Sequence, residues 1–284
     1  MNAAVSDEVL PRASLRLTSI ADAALRISAR FWFLVAVAGQ WTFVAYILGF
    51  YGVAAVQGNL TAWNGVLPHG YVPGETLGNF ALAGHLLFAA IITVGGPLQL
   101  VPLIRARFPR FHRWNGRTYI FTAVTMAVTG LYLSSSGRTT AGDASQGLGI
   151  GINAILILIF AALALRHAIA RNFVTHRRWA LRLFLVVSGV WFFRVGLMFW
   201  FTLHQGRPVG LTLDPFAGPF LTFLAFAQYL LPLAILELYF RTQDHAGAAG
   251  RFAMAAGLVV LTLAMGVGIF TATVGMWLPR ISGS

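Results

Sequence analysis

The sequence predicts an all-α fold, a polytopic bundle of about seven transmembrane helices, and three observations lead to it. Of the 284 residues, 58% are hydrophobic and only 10% are charged, whereas a soluble domain carries roughly 25% charged residues. Apolar runs of about 18 residues or more, long enough to cross a bilayer, recur along the chain. The charged residues that remain collect in alternate loops, which is typical of a multipass protein.

The N-terminal segment, residues 1–30, is fairly polar and precedes an apolar run. That run is too long for the h-region of a signal peptide, which has about 7–15 residues, so we expect an uncleaved anchor. Residues 13–30 carry arginines one turn apart, which is typical of a helix at the membrane interface. We expect a cytoplasmic or interfacial segment over 1–30, a helix bundle over 31–278 and a short periplasmic tail over 279–284.

Seven apolar segments are each predicted to cross the membrane. They are Phe31–Val56, Leu77–Ile104, Thr118–Leu133, Leu148–Leu165, Trp179–Leu203, Phe216–Phe240 and Phe252–Leu278. The third and fourth are short, so they extend into flanking polar residues or cross with little tilt. The second ends in GGPLQLVP (residues 95–102), where glycines and prolines should break or kink the helix.

Arginine provides all of the positive side-chain charge at pH 7, because the sequence has no lysine. Most arginines lie in the N-terminal segment and in the loops between spans 2 and 3, 4 and 5, and 6 and 7; the opposite loops hold only Arg138, Arg207 and Arg280. An arginine excess marks the cytoplasmic side, so the N-terminus is predicted on the cytoplasmic side of a bacterial inner membrane. The net charge of +12 indicates contact with anionic lipid headgroups, and no nucleic acid is expected as a partner.

Two of the basic loops resemble each other. RFPRFHRWNGRTY (residues 107–119) and RNFVTHRRWALR (residues 171–182) each place an arginine five residues before a histidine, which arginine and then tryptophan follow. The repetition suggests three parallel helical hairpins, formed by spans 2–3, 4–5 and 6–7. The alternative is that the positive-inside rule alone makes basic turns look alike, and the sequence leaves both open.

Ionisable residues inside spans are costly in a bilayer and are therefore functional candidates. His85 and Arg194 are predicted to lie roughly 12–14 Å below the outer ends of their spans. An arginine there must face the bundle interior, since exposure to lipid costs about 2.5–3.5 kcal/mol. With Gln228, Tyr229 and Asn153, these side chains are predicted to line one polar ligand pocket. The alternative is a set of interhelical hydrogen bonds, worth about 0.6 kcal/mol each, with no ligand.

Two further charged residues lie inside spans, close to the cytoplasmic boundary. Arg182 and Glu237 each fall about one helical turn inside that boundary. Opposite charges at one depth in a membrane tend to pair, so we predict a structural ion pair between them.

Histidines and arginines gather at the predicted cytoplasmic boundary. Two imidazoles that face each other at one depth can hold b-type haem, so a haem, quinone or metal site is one interpretation and a basic cluster at the level of the headgroups is the other. The cluster comprises His112, Arg113, Arg117, His167, His176 and Arg177. The absence of cysteine excludes disulfides, thiolate metal sites and cysteine nucleophiles. No paired-carboxylate, HExxH or Ser-His-Asp arrangement favours hydrolysis.

Three segments together resemble a family of bacterial multipass membrane proteins whose activity is not established. The family pattern has a GPLQ turn, an HRxxGRxY segment and a later HRxWxxR segment. The matching residues here are Gly96, Pro97 and Gln99; His112, Arg113, Gly116, Arg117 and Tyr119; and His176, Arg177, Trp179 and Arg182, with His85 upstream. The resemblance covers about residues 80–200 and implies the type of protein, without an activity.

Three functional hypotheses follow. The first is a non-hydrolytic membrane component that binds a polar or anionic lipophilic ligand near His85 and Arg194, or that serves as an accessory subunit of a larger membrane complex. The second is a redox protein that holds b-type haem or quinone at the cytoplasmic histidines. The third is a small transporter, suggested by the repeated hairpins and the buried polar residues.

Overall fold

The computed structural model describes residues 12–67, 69–138, 143–214 and 216–283, without the side chains of residues 12–15. Within these residues the only strands are a two-residue antiparallel pair, β1 (Thr212–Leu213) and β2 (Phe216–Ala217). The predicted all-α class is confirmed. Residues 1–11 of the predicted N-terminal segment and Ser284 of the predicted tail lie outside the described residues.

Helices make up the remaining regular structure. In chain order they are α1 (Arg12–Tyr46), a π-helical segment (Ile47–Gly52), α2 (Val53–Val56), a 3-10 segment (Leu60–Gly65), α3 (Thr76–Leu100), α4 (Pro102–Arg107), α5 (Pro109–Ser135), α6 (Ala144–Ile169), α7 (Phe173–Val187), α8 (Gly189–Leu203), α9 (Pro219–His245), α10 (Ala248–Ala272), a second π-helical segment (Thr273–Trp277) and α11 (Leu278–Ser282). The π-helical segments join their neighbours into two continuous rods, 16–56 and 248–282.

Five rods are long and apolar enough to cross a membrane, and α7 with α8 adds a sixth when the two are taken as one span bent by 54°. These counts refer to the described residues. The remaining long helix, α5, has 27 residues, which is long enough to cross, but its composition does not place it among these candidates. The sequence nevertheless predicts a span over Thr118–Leu133.

Helix α5 nevertheless lies antiparallel beside α3 along its length. Near one end, Asn115 Nδ2 donates to Gly95 O at 2.9 Å. In the middle, His85 Nδ1 lies 3.0 Å from Thr129 Oγ1. Just beyond the other end of α5, Arg138 forms an ion pair at the start of α3. Helix α5 therefore lies beside α3, a candidate span, over most of the length of both helices.

The predicted break in GGPLQLVP is confirmed by the structure. Helix α3 ends at Leu100, Val101 has an extended backbone conformation, and α4 begins at Pro102. Proline is well tolerated in the first turn of a helix, so the second proline of the motif starts a helix. The first proline, Pro97, and the glycines lie within α3, and a Cβ on Gly96 would lie only 3.0 Å from Tyr119 Cε2.

The N-terminal part of α1 packs against α10. Helix α1 continues without a break through residue 30, the predicted boundary of the bundle. Leu25 packs in one apolar cluster with Met254 and Leu258 of α10, and Arg251 pairs with Asp22 at 2.5 Å. Of the three predicted hairpins, α3 with α5 and α6 with α7 are closely packed pairs, whereas α10 packs chiefly against α1 and α8.

The bent rod formed by α7 and α8 passes through the middle of the bundle. Helix α7 packs against α6 and α9, and α8 packs against α9 and α10. Just before the break, Leu183, Phe184, Leu185 and Val186 are all buried, and four consecutive positions cover every side of a helix with 3.6 residues per turn. The break at Ser188 is therefore enclosed by protein.

Candidate functional site

The helix break at Ser188 is where polar side chains of three other helices meet the central rod. Gln40 of α1 donates through Nε2 to Ser188 Oγ at 3.0 Å, and Asn153 of α6 donates through Nδ2 to a backbone carbonyl of α7 at 3.1 Å. A Cβ on Gly189 would lie 3.0 Å from Asn153 Nδ2 and 3.5 Å from Gln228 Oε1 of α9. We call Gln40, Asn153, Ser188 and Gln228 the polar layer.

Local chemistry explains why the central rod breaks here. Ser188 Oγ donates to Phe184 O at 2.8 Å, and serine side chains that bond the backbone in this way often bend helices. Gly189 follows, and glycine lowers helix stability by about 1 kcal/mol relative to alanine. Asn153 gives a donor to Val186 O, one of the carbonyls that the end of α7 leaves without a helical partner. The break is thus satisfied by side chains within the protein.

The polar layer lies near the middle of the rods. Ser188 separates two helices of 15 residues each, so roughly 22 Å of helix extends on either side of it. Asn153 and Gln228 are each the tenth residue of α6 and α9. Both helices start at the arginine-poor end of the bundle, the end that carries Arg138, Arg207 and Arg280. The layer is therefore far from water at both ends.

Several buried polar atoms at the break have no hydrogen-bond partner within the described residues. Gln40, which is 2% exposed, leaves Oε1 unpaired, and Asn153 leaves Oδ1 unpaired. The indole Nε1 of Trp191 and the hydroxyl of Tyr229, next to Gln228, are also buried and unpaired. Each unpaired buried polar group lowers the free energy of unfolding of a protein by about 1–3 kcal/mol. The break therefore offers unused donors and acceptors in a low-dielectric interior.

The five residues predicted to line one pocket fall into three groups of contacts. Asn153 and Gln228 meet at the break, and Tyr229 is adjacent to Gln228. His85 contacts a threonine of α5 instead. Arg194 lies with its guanidinium carbon 5.2 Å from the centre of an aromatic ring of α1. The contacts thus divide the predicted pocket, and they add α1 to the helices that the sequence assigned to it.

Gln40, Ser188 and Trp191 belong to the site and were not among the predicted residues. Gln40 is the only amide side chain in the predicted span Phe31–Val56. Its isolation in an apolar run could therefore have identified it as a candidate site residue. Ser188 directly precedes a glycine, and such pairs are known to kink helices. Nothing in the sequence distinguishes Trp191 from the other tryptophans.

Arg182 and Glu237 are joined by two hydrogen bonds, Nε to Oε1 at 2.6 Å and Nη2 to Oε2 at 2.9 Å. The Arg182 guanidinium also lies over Trp179, 4.5 Å from the ring centre. One turn earlier, Arg178 binds both carboxylate oxygens of Asp244 at 2.6 and 2.8 Å. Bidentate pairs of this kind fix geometry as well as charge, so they hold α7 against α9.

The predicted histidine and arginine cluster lies at the arginine-rich end of the bundle. His176 Nδ1 is 2.9 Å from Ala164 O. Burial, and the nearby charges of Arg105 and His176, lower the pKa of His112, which lies in the first turn of α5 outside the predicted span. Arg113 and Arg117 follow on α5, His167 lies near the end of α6 and Arg177 lies on α7. Among the described residues, no three histidine or acidic side chains are placed to hold a metal ion.

The segments that carry the family resemblance pack against their neighbours. Gln99 Nε2 donates to His112 O at 3.0 Å, so the GPLQ turn contacts the HRxxGRxY segment directly. Gly116 allows this contact, since a Cβ there would lie 3.3 Å from Gln99 Oε1. Trp179 of the HRxWxxR segment lies 5.4 Å from Phe160 between ring centres. These motifs therefore hold helix pairs together at the arginine-rich end.

Comparison with known proteins gives the family. Residues 82–231 match the family model described as a predicted membrane protein of DUF2306, which confirms the resemblance to a membrane protein family of unknown function. The match includes Asn153, Ser188 and Gln228 of the polar layer but not Gln40. No curated protein and no solved structure matches the chain. Because the match extends over more than half of the 284 residues, this multipass membrane protein belongs to the DUF2306 family.

Proposed function

We propose that the chain binds a small, uncharged polar ligand inside the membrane, at the polar layer around Ser188. The observation that supports the proposal is the set of unpaired buried groups on the helices that meet there. These are the amide oxygens of Gln40 and Asn153, and the indole N–H of Trp191, three residues beyond Ser188 along the chain. Buried polar groups are normally paired, and a ligand with both a donor and an acceptor would complete them. A neutral ligand fits best because the layer contains no ionisable side chain to offset the desolvation of a charge.

Binding at this site requires a movement of the central rod. The layer is closely packed, since even a Cβ on Gly189 would lie 3.0 Å from Asn153 Nδ2. The 54° bend between α7 and α8 supplies a hinge, because large backbone changes are absorbed by a few residues at the ends of elements. We therefore include in the proposal an opening of α8 relative to α7 about Ser188.

Transport of the same ligand is a second candidate, and the broken central helix favours it. Discontinuous helices near the middle of the bilayer hold substrates in many transporters. A transporter exposes its site to each side of the membrane in turn, whereas a binding protein needs to open to one side only. The two functions therefore differ in the sidedness of access to the polar layer.

The absence of cysteine from the sequence allows this access to be measured. Asn153→Cys would place a single thiol in the polar layer, and Ala161→Cys would place one on the same helix at a position that is 1% exposed among apolar residues. In membrane vesicles, a charged water-soluble methanethiosulfonate reagent should modify Asn153→Cys faster than Ala161→Cys, because only a polar site that opens admits water.

Equal and negligible modification at the two positions would contradict the proposal, because the layer would then be a closed packing feature. Modification from one face of the membrane supports binding without transport. Modification from both faces supports transport. The Ala161→Cys control separates access to the layer from general loosening of the bundle.

We also propose that the arginine-rich end faces the cytoplasm of a bacterium, and that its arginines contact anionic headgroups of the inner membrane. The proposal rests on the distribution of arginine, which leaves Arg138, Arg207 and Arg280 alone at the opposite end, and on the positive-inside rule. The measurement that tests the headgroup contacts is the composition of the lipid that co-purifies with the protein in mild detergent. We expect the fraction of anionic lipid to exceed its fraction in the whole membrane.

A further inference from the structure

Arg194 differs from the other arginines that lie between helices. Four ion pairs occur among the described residues, and they involve Arg138, Arg178, Arg182 and Arg251. Arg194 has no acidic partner in that part of the chain. It lies nine residues before the end of α8, roughly 14 Å from the arginine-poor end. An unpaired cation at this depth is a functional candidate.

The protein satisfies only a small part of the Arg194 guanidinium. Its Nη1 donates to Val190 O at 3.3 Å, which is a long bond, and its guanidinium carbon lies over the Phe43 ring, 5.2 Å from the ring centre. A guanidinium has five N–H groups arranged in a planar fork that matches a carboxylate or a phosphate. Apart from the bond to Val190, no protein acceptor of the described residues is shown for these N–H groups, so they can bind such a group.

Phe43, the ring beneath Arg194, belongs to a larger group of aromatic side chains. We call Phe43, Tyr46, Phe50, Tyr51, Trp63 and Trp277 the aromatic cluster. Ring centres within it are as close as 4.8 Å, and Phe43 lies 5.4 Å from Trp277.

Two π-helical segments, Ile47–Gly52 and Thr273–Trp277, carry much of the aromatic cluster. The first segment packs against α11, the helix that follows the second segment, since a Cβ on Gly49 would lie 3.2 Å from Ile281 Cγ1. Single-turn π segments within helices are often found at functional sites. From the 3-10 segment of the loop that follows, Trp63 Nε1 donates to Tyr51 O at 3.1 Å and covers the cluster.

We propose that Arg194 and the aromatic cluster form a binding site for an oxyanion, a carboxylate or a phosphate, at the arginine-poor end of the bundle. The fork of Arg194 binds the oxyanion, and the aromatic rings provide the apolar wall that an amphiphile carrying it would need. This site does not depend on the proposed function, because the oxyanion is bound by Arg194 and not by the amide side chains of the polar layer. The oxyanion arrives either free or as the headgroup of a lipid or fatty acid.

Thermal unfolding of the full chain in a neutral detergent tests the proposal. The probes are sodium phosphate against sodium chloride at equal ionic strength, laurate, and phosphatidylglycerol against phosphatidylcholine. Stabilisation by phosphate would show that the site also binds free oxyanions. Stabilisation by laurate or phosphatidylglycerol but not by phosphate assigns it to amphiphiles. If none of these probes stabilises the wild-type protein, the proposal is overturned.

A matched pair of variants assigns any such stabilisation to Arg194. Arg194→Gln should weaken binding of the effective probe at least about tenfold, the loss expected for a charged hydrogen bond. Arg207→Gln removes an exposed arginine at the same end and should leave binding unchanged. Equal binding by Arg194→Gln and wild type would overturn the proposal.

A second substitution keeps the test decisive if Arg194→Gln does not fold. Arg194→Lys retains the charge but loses the planar fork. Weaker binding by Arg194→Lys, with normal binding by Arg207→Lys, supports the site. Unchanged binding by Arg194→Lys would overturn the role of the fork and with it the proposal.

Discussion

Arg138 is the most fully enclosed arginine of the described residues, with 3% of its surface exposed. Its Nη1 donates to Gly70 O at 2.8 Å and to Asn79 Oδ1 at 3.0 Å, and its Nη2 pairs with Glu75. The guanidinium packs directly on Gly78, where any Cβ would overlap it. One side chain thus fastens the end of α5 to the start of α3 and to the loop before it.

We predict that Arg138→Leu lowers stability much more than Glu75→Gln does. The leucine variant removes every bond of a buried cation, at a cost of about 2–3 kcal/mol. The Glu75 side chain is 62% exposed, so water screens the pair, and its replacement should cost less than about 1 kcal/mol. Melting of both variants in the same detergent, followed by tryptophan fluorescence, checks the order. The reverse order would show that the carboxylate, and not the set of bonds to the backbone and Asn79, holds the hairpin.

The two best-defined arginine contacts differ in how far the sequence predicted them. Arg182 and Glu237 were predicted to pair because both lie about one turn inside the same boundary, and depth can be counted along a helix. Arg138 was counted only as a charge at the opposite end of the bundle. Its partner Glu75 lies 63 residues earlier, and only the folded hairpin brings the two together.

At the scale of helices, close contact between α8 and α10 depends on one glycine. A Cβ on Gly268 would overlap the carbonyl oxygen of Val195 and lie 2.8 Å from its Cγ1. Two residues away on the same helix, a Cβ on Gly266 would meet no atom within 4 Å. Small residues let membrane helices approach closely, and here the obstacle is backbone that cannot move by a side-chain rotation.

We predict opposite effects for alanine at these two positions. Gly268→Ala must push α10 away from α8, which should cost about 1–3 kcal/mol. Gly266→Ala adds a methyl group in open space and should stabilise the helix by up to about 1 kcal/mol. Thermal melting in detergent measures both. Destabilisation of the same size at the two positions would show that the effect comes from the helix itself and not from its contact with α8.

The helices themselves followed from apolar length, but only one of their two breaks followed from the sequence. The predicted span Leu148–Leu165 lies inside α6, and Thr118–Leu133 lies inside α5. A break was predicted within residues 95–102, and the helix is interrupted there, between Leu100 and Pro102. None was predicted at Ser188, where the rod bends. Local glycines and prolines indicate the first break, whereas the bend at Ser188 depends on Gln40 and Asn153 from other helices.

At the scale of the whole molecule, the path of α5 decides the number of crossings. Composition alone leaves α5 out of the candidate spans of the described chain. Its contacts with α3, from Asn115 near one end to Arg138 just beyond the other, place it beside a candidate span, and we infer from them that α5 crosses. A crossing α5 gives seven spans and places the two ends of the bundle on opposite sides of the membrane.

We predict that single cysteines on either side of α5 are labelled from opposite faces of the membrane. Phe108 and Ser136 are exposed positions that flank this helix. In spheroplasts, a membrane-impermeant maleimide should label Ser136→Cys directly and Phe108→Cys only after permeabilisation. Gln57→Cys and Gly247→Cys, at exposed positions at the two ends of the bundle, serve as references. Labelling of both α5 positions from one face would contradict a crossing α5.

The sequence by itself determined the class of protein, the order of its long helices and the arginine asymmetry of its two ends. These properties depend on quantities that can be summed along the chain, namely the length of apolar runs and the position of charge. The tertiary structure decided which helices are neighbours, that α7 and α8 form the central rod, and that α10 packs against α1 and α8.

The same division applies to the candidate sites. The sequence identified Asn153, Gln228 and Arg194 because polar groups in apolar spans are rare and costly. The sequence does not identify their contact partners, because a polar side chain in a bilayer needs a partner but its position in the chain does not say which one. The partner is chosen by the packing of helix surfaces that are almost uniformly apolar, and small residues such as Gly189 and Gly268 decide that packing in three dimensions.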